Sequence, residues 1–515
     1  MNTSEPEFNS LESADNELAA GKSQSITLDQ IQNFKGKYPK QLWFLFTVEM
    51  WERFCFYGMR GILTIFMIDQ LLIAEDEAKL RYASIQAFVY AFTFLGGIFA
   101  DKYLGFKKSL TFGAILMIIG NGLVAFSPHD LFFIGISLVV IGTGFFKPNI
   151  SSMVGDLYKE GDARKEAGFS MFYAGINVGA FLGGTICVYL GKGHSWQLAF
   201  LAASIVMLLG LITFLVTKKY LGPIGDSPLK DLIPSKRRMK ELMVYLIAAL
   251  TLPLIFIMIQ NTDYTDYFMY IIGPAALAFF FFKWLQEPDK VARKKLIAAL
   301  LFIIFSIVFF ALFEQAGGAL AVFAMYNLHD KLLFFNIDPN IVNNSSNAFF
   351  VVLFSPLLGL FWLWLNKRKK EPSTVVKFGI GFLFLAVSYI IMYSLIYFAD
   401  ADGLSSLNVF TGGYLVMTLA ELCISPIGLS MITSLAPKNL AGMMMGLWFL
   451  GSAYGQYFAG VLGANVVTAE EGVSNLQKLI SYCGGFQQLA IGAVVVAVLM
   501  FVLIPLFKNL MQGSK

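Results

Sequence analysis

Charge is scarce in this chain: 14% of its 515 residues are Asp, Glu, Lys or Arg, against roughly 25% in an ordinary soluble domain. With 57% hydrophobic residues and a mean hydropathy of +0.67, the polar side chains cannot cover a water-soluble surface of this size. That excludes a soluble multidomain enzyme, a disordered chain and a nucleic-acid-binding protein. Histidine is scarcer still, and His129, His194 and His329 all fall in expected outer loops, so no imidazole is available at membrane depth. Cys55, Cys187, Cys423 and Cys483 lie in or beside apolar runs and form no C-x-x-C pair, which indicates neither a disulfide framework nor a zinc site. Residues 1–34 lack the apolar stretch of a cleaved signal peptide and carry Glu5, Glu7, Glu12, Asp15 and Glu17. They are expected to form a soluble, disordered tail.

Apolar helix length is what the chain has in quantity, enough for at most roughly fourteen crossings at ~20 residues each. Continuous rather than alternating apolar runs favour helices over barrel strands. Spans are expected near 41–72, 80–100, 108–126, 131–157, 165–190 and 197–217. A basic linker at 218–240 precedes two more spans near 241–260 and 266–285. Six further spans follow near 295–326, 346–366, 374–398, 408–434, 440–466 and 481–507. The chain therefore divides into a cytoplasmic N-terminal tail (1–40), a six-helix bundle (41–217), a linker with an inserted helix pair (218–292), a second six-helix bundle (293–508) and a short cytoplasmic tail (509–515). This is an all-α polytopic membrane protein.

Basic residues set the orientation. One set of loops holds 24 Lys and Arg, from Lys102, Lys107 and Lys108 through the Lys218–Lys240 cluster to Lys438. The alternate set holds only Lys79, Arg81, Lys192, Lys331 and Lys478. The richer set, and both termini with it, is expected to be cytoplasmic. Two features hint that the bundles are repeats: Lys147-Pro148-Asn149 in the fourth span and Glu421…Ser425-Pro426 in its counterpart. Proline frees backbone groups that must be satisfied in protein or in a cavity, and matched interruptions in two halves point to a central transport site.

Ionisable groups at bilayer depth cost at least ~2.5–3.5 kcal/mol each, yet the spans hold seven: Glu49, Glu52, Arg53, Arg60, Lys147, Glu314 and Glu421. Glu49, Glu52, Arg53, Phe56, Tyr57 and Arg60 share one helix face about 140° wide. That face runs roughly 16 Å along the helix, about half the hydrocarbon thickness. Such a ladder must look at a water-filled cavity or at partners on other helices; buried structural ion pairs are the plainer alternative. Rings of like charge or carbonyl filters, which a channel would need, are missing. Fixed cations beside fixed anions suit a zwitterion, with Arg and Lys for a carboxylate and Glu for an ammonium. Without histidine at depth, proton coupling would run through buried carboxylates.

The run from Glu49 to Gly58 (EMWERFCFYG) resembles the ExxERFxYYG motif of the proton-dependent oligopeptide transporters, a branch of the major facilitator superfamily. Gly142 to Asp156 (GTGFFKPNISSMVGD), Phe172 to Ala180 (FYAGINVGA) and Glu421 to Ser430 (ELCISPIGLS) resemble that family's fourth-, fifth- and tenth-helix motifs. The inserted pair is typical of prokaryotic members. The resemblance implies import of di- and tripeptides coupled to protons by alternating access, in a bacterial inner membrane, without cofactor, metal or obligate protein partner. It implies a proton-coupling set of Glu49, Glu52, Arg53, Lys147 and Glu314. Arg60 and Lys147 would hold the peptide carboxyl end, Glu421 its amino end, and Asn177 and Asn347 its backbone. Tyr57, Tyr90, Tyr173 and Trp448 would line side-chain pockets, with Ser425 and Glu314 also at the substrate. Pairs Arg60–Glu314 and Lys147–Glu421 would close the outer side.

Phe56 stands where the motif has the first tyrosine, which removes one hydroxyl and bears on substrate preference. Gly97, Asp101, Lys102, Gly105, Lys107 and Lys108 resemble the superfamily's loop motif, and are equally an ordinary basic turn. Trp448, among Gly442, Gly446, Gly451 and Gly455, suits helix packing as well as a pocket. A nitrate or organic-anion transporter on the same fold is the nearest alternative, opposed by the anionic Glu421. An intramembrane enzyme is the more distant one, and neither H-E-x-x-H nor G-x-S-x-G occurs.

Overall fold

The computed structural model describes residues 26–437, 440–470 and 472–511; Lys438 of the basic count and most of the N-terminal tail lie outside them. A short helix α1 (Leu28–Gln32) opens with a capping box in which Thr27 and Gln30 satisfy each other's backbone. Disorder was expected through residue 34, but Gln32 donates to the Asp156 carbonyl at 3.0 Å and Arg164 lies 3.9 Å over the Phe34 ring. Local capping and these docking contacts hold the segment against the bundle end.

The first bundle comprises α2 (Lys40–Asp69), α3 (Glu75–Phe99), α4 (Phe106–Phe126), α5 (Phe132–Asp156), α6 (Arg164–Gly193) and α7 (Trp196–Thr217). The inserted pair is α8 (Pro234–Gln260) and α9 (Thr262–Gln286). The second bundle comprises α10 (Lys290–Phe313), α11 (Ala319–Tyr326), α12 (Pro339–Lys367), α13 (Thr374–Tyr393), α14 (Leu407–Leu435), α15 (Ala441–Asn465) and α16 (Asn475–Val502), followed by the short α17 (Ile504–Met511). A small hairpin, β1 (Lys331–Leu332) against β2 (Phe335–Asn336), tops the loop before α12.

Among the described residues, 12 helices are long and apolar enough to cross a membrane. The other two of the fourteen expected, α2 and α15, are of full length but less apolar. Helix α2 carries six charges, Lys40 and Asp69 at its ends and Glu49, Glu52, Arg53 and Arg60 between them, and α15 is diluted by Gly442, Gly446, Gly451, Gly455, Gly460 and Gly463. Both are inner helices, packed on α6 and α3 respectively. Among the described residues, two large hydrophobic cores form, one centred on α2–α7 and one on α10–α16, with a small third cluster of Ala87, Met269, Ala453 and Tyr457 where α9 meets α3 and α15. The halves meet along α3 with α15 and α6 with α12. Helix α8 lies against α5, and α9 lies over α15 and α3.

Proline does not break the helices where interruption was expected. Helix α5 continues through Pro148, and α14 runs through position 426. Pro148 leaves the Gly144 carbonyl without its helical donor, and that oxygen packs so closely on Gly96 that a Cβ there would lie 2.1 Å from it. The break falls instead in the span expected at 295–326, which divides into α10 and α11 around Glu314 to Gly318. Gln315 fills the gap by donating to the carbonyls of Ala311 and Ala459 at 3.0 and 2.9 Å. Gly317 permits the approach of Tyr82, whose ring would collide with a Cβ.

Candidate functional site

All seven charges expected at depth lie between the halves or inside the first bundle, and none of them is exposed. Glu49, Glu52 and Arg53 are 1%, 0% and 1% exposed. Arg53 Nε approaches Glu49 Oε1 at 2.9 Å and Glu52 Oε2 at 2.5 Å. These are ion pairs with poor aim. Among the described residues, both Glu52 oxygens, Glu49 Oε2 and Arg53 Nη2 have no well-directed hydrogen-bond partner. Phe56 covers the guanidinium, its ring 5.7 Å from Arg53 Cζ, and stacks edge-on with Tyr57 at 5.3 Å.

One turn beyond Tyr57, Arg60 bridges the halves. Its Nη2 meets Glu314 Oε2 at 2.5 Å, and its Nε donates to the Tyr82 hydroxyl at 2.6 Å. Glu314 can reach because it terminates α10 at the helix break. Beside it, Thr64 donates its hydroxyl to the Gly317 carbonyl, a backbone group the break sets free. Tyr57 flanks the pair, with Arg60 5.6 Å over its ring.

Lys147 makes no ion pair among the described residues and lies 4.6 Å over the Tyr90 ring, in the field of Arg53, Glu52, Glu49 and Arg60. It is not bonded to Glu421 in this conformation. Glu421 instead accepts from Asn347 Nδ2 at 2.8 Å, and that amide also reaches Thr418 Oγ1 at 3.3 Å. Tyr173 is 42% exposed and lies in the field of Glu421 and Tyr57. Asn177, one turn on, donates to the Tyr173 carbonyl at 2.9 Å. Trp448 is 8% exposed and its ring packs across Gly428, 2.3 Å from where a Cβ would stand. Ser425 is half-buried on α14.

Sequence reasoning missed several partners. Lys79 was assigned to an outer loop, but it lies in the second turn of α3, fully buried. Its ammonium donates to the Val467 carbonyl, Thr468 Oγ1 and the Tyr482 hydroxyl at 3.1, 3.2 and 3.0 Å. Glu75 completes the cluster, bonded to Lys478 at 2.5 Å and to Tyr482 at 3.0 Å. Further contacts tie the halves at this lysine-poor end: Lys192 to Asp338 at 2.6 Å, Asn344 to the Gly61 carbonyl at 3.1 Å, and Thr185 to Ser345 at 2.8 Å. At the lysine-rich end, no ion pair or hydrogen bond joins the two bundles among the described residues. Among the described residues, the contacts that latch the halves thus lie at one end. Glu75, four residues before Lys79, was the available signal, since a buried lysine needs acceptors.

Two helical bundles closing on buried charges of both signs define a multi-pass membrane protein with a site between pseudo-equivalent halves, the architecture of a secondary transporter. The sequence profile of the POT family matches residues 107–479, and the chain belongs to that family. It is 31% identical over 482 residues to the dipeptide and tripeptide permease A of Cronobacter turicensis, covering 93% of this chain and 95% of the relative. A permease of the same name from Proteus mirabilis is 31% identical over 479 residues, covering 92% and 96%. Among solved structures, a peptide transporter POT in complex with sulfate superposes with a TM-score of 0.81 at 30% identity, covering 95% of this chain and 100% of that one. A POT family transporter in complex with 5-aminolevulinic acid superposes with a TM-score of 0.80 at 29% identity, covering 94% and 100%.

Proposed function

We propose that this chain is a proton-coupled symporter that imports di- and tripeptides by alternating access. The observation that carries the reading is the Arg60–Glu314 pair, joining the halves at 2.5 Å beside two further carboxylate sites. A peptide is a zwitterion, with an anionic end suited to a cationic anchor and a cationic end suited to an anionic one. Arg60 and Lys147 would take its carboxylate and Glu421 its ammonium. Asn177 and Asn347 would bond its backbone, and Tyr57, Tyr90, Tyr173, Ser425 and Trp448 would border its side chains. Glu49, Glu52, Arg53, Lys147 and Glu314 would exchange ion-pair partners for protons. The carboxylate oxygens of Glu52, buried without well-directed donors, suit a group that accepts a proton when its cation leaves.

In this reading residues 41–217 and 293–508 rock about the site, while 218–292 rides along the α3–α15 seam. Both termini and the lysine-rich loops face the cytoplasm of a bacterial cell, by the positive-inside asymmetry. The names borne by the relatives, dipeptide and tripeptide permeases, favour peptide over nitrate, as does Glu421 at the centre. The test is dipeptide uptake into liposomes under an imposed pH gradient. Accumulation that a protonophore abolishes is expected; uptake of nitrate and not of peptide would overturn the assignment.

A further inference from the structure

We propose that the lysine-rich end carries a binding site for an anionic phospholipid of the adjoining leaflet, set between α4, α7 and the first inserted helix α8. A cavity of about 580 Å³ opens there, and Lys107, Lys108, Lys218 and Lys219 line it against a single acid, Asp226. Two of these cations are already spent. Lys107 bonds Asp226 at 2.7 Å and the Gly222 carbonyl at 2.5 Å, and Lys108 bonds Glu241 at 2.6 Å. Lys218 and Lys219 are exposed and form no ion pair among the described residues. The cavity therefore keeps two ammonium groups in excess.

The rest of its wall is apolar, built from Phe112 and Ile115 of α4, Leu215 of α7 and Tyr245 of α8. Ile115 and Leu215 are each 41% exposed on helices that cross the membrane. Ile115 lies nine residues into α4, a rise of about 13 Å, so the cavity descends from loop level into hydrocarbon. Cations at the mouth with an apolar wall below, along the membrane normal, repeat the layout of a phospholipid. A free phosphate would gain nothing from the wall, and an uncharged lipid nothing from the lysines. Basic pockets between membrane helices on this side suit acidic headgroups.

The site is also built rather than incidental. Lys107 N–H donates to the Gly225 carbonyl at 2.9 Å and Ser227 to the Tyr103 carbonyl at 2.8 Å, fixing the linker as one wall. Gly105, at φ +76°, admits that linker: a Cβ would lie 2.5 Å from the Asp226 carbonyl. The loop motif noted in the sequence thus holds the linker and shapes this cavity.

The test uses the full-length protein purified in detergent and titrated with phosphatidylglycerol, phosphatidylcholine or inorganic phosphate, with retained lipid read by native mass spectrometry. The wild type is expected to retain phosphatidylglycerol over phosphatidylcholine. Lys218→Glu with Lys219→Glu should lower that retention by roughly tenfold or more. Ile115→Trp, which fills the wall at a lipid-facing position, should lower it as well. Exposed Lys367→Glu with Lys370→Glu, at the end of α12, should leave it unchanged. Equal retention of the two lipids, or an undiminished ratio in the Lys218/Lys219 variant, would overturn the proposal. So would an equal loss in the Lys367/Lys370 control, or displacement of phosphatidylglycerol by millimolar phosphate.

Discussion

Lys478→Met should shift the protein toward the conformation open at its lysine-poor end. Lys478 and Glu75 are 12% and 11% exposed and 2.5 Å apart, and they belong to opposite halves. A hydrogen bond between charged groups this sheltered contributes about 1.5–3 kcal/mol, well above the 0.2–1 typical of exposed pairs. Methionine keeps the aliphatic stem that packs on Tyr326, where the ammonium now lies 3.9 Å from the ring centroid. Glu75 would be left with the Tyr482 hydroxyl in the latched state but would be hydrated when the end opens. All of the lost energy therefore acts on the opening equilibrium, which should move roughly 10- to 150-fold. Spin labels at exposed Gln197 and Asp402, on opposite halves of that end, would report the change. The four native cysteines are buried and compete little for the label. A longer-distance population is expected to grow in the variant. An unchanged distance distribution in a folded, monodisperse variant would refute the assignment of this contact as a latch.

Glu52→Gln should abolish gradient-driven uptake while peptide counterflow across the same liposomes persists; full pH-driven accumulation would remove Glu52 from the coupling set. Lys147→Ala should weaken peptides with a free carboxylate more than their amidated analogues in competition binding, and equal losses would detach Lys147 from the carboxyl end. Gly96→Ala should destabilise the first bundle by about 1–3 kcal/mol through overpacking, since its Cβ would lie 2.1 Å from the Gly144 oxygen. Gly97→Ala, where the nearest contact would be 3.8 Å, should be nearly neutral. Thermal unfolding in detergent compares the two, and equal midpoints would contradict the close α3–α5 packing.

The helices were legible because hydrocarbon imposes a length and a composition on each crossing, and the charges stood out because that same solvent penalises them. Arg60, Glu314, Glu49, Glu52 and Arg53 announced themselves as exceptions on otherwise apolar helices. Their partners did not. Tyr82 is an ordinary aromatic until the fold sets its hydroxyl on Arg60, and Lys79 sits so near a helix end that composition alone makes it a loop residue. The break after Glu314 hid behind a continuous apolar run, because a Gln-Ala-Gly-Gly interruption barely lowers hydropathy. Prolines drew the eye instead, yet a helix keeps its course through Pro148 when a neighbour as small as Gly96 lets the freed carbonyl pack. Pair identity across the halves depends on tertiary register, which no local pattern encodes.

In the proposed reading, the arrangement of charges would let neither a proton nor a peptide alone cycle the molecule. A ligand shifts a conformational equilibrium only by binding one state better than the other. Suppose a peptide carboxylate reaches Arg60 while Glu314 is still ionised. Two anions then compete for one guanidinium, and one is left buried without a partner, at a cost of several kcal/mol. Suppose instead that Glu314 takes a proton in an empty site. Arg60 keeps only the Tyr82 hydroxyl, at 2.6 Å, and a cation is stranded between two apolar bundles. With both events together, the carboxylate would replace Glu314 on Arg60 and the proton would neutralise the displaced acid, so neither Arg60 nor Glu314 would be left as an unpaired charge. Each half-step is penalised by the burial that makes the full step cheap. In that reading, the same low-dielectric setting that made these residues costly to keep would make the two cargoes obligatory companions.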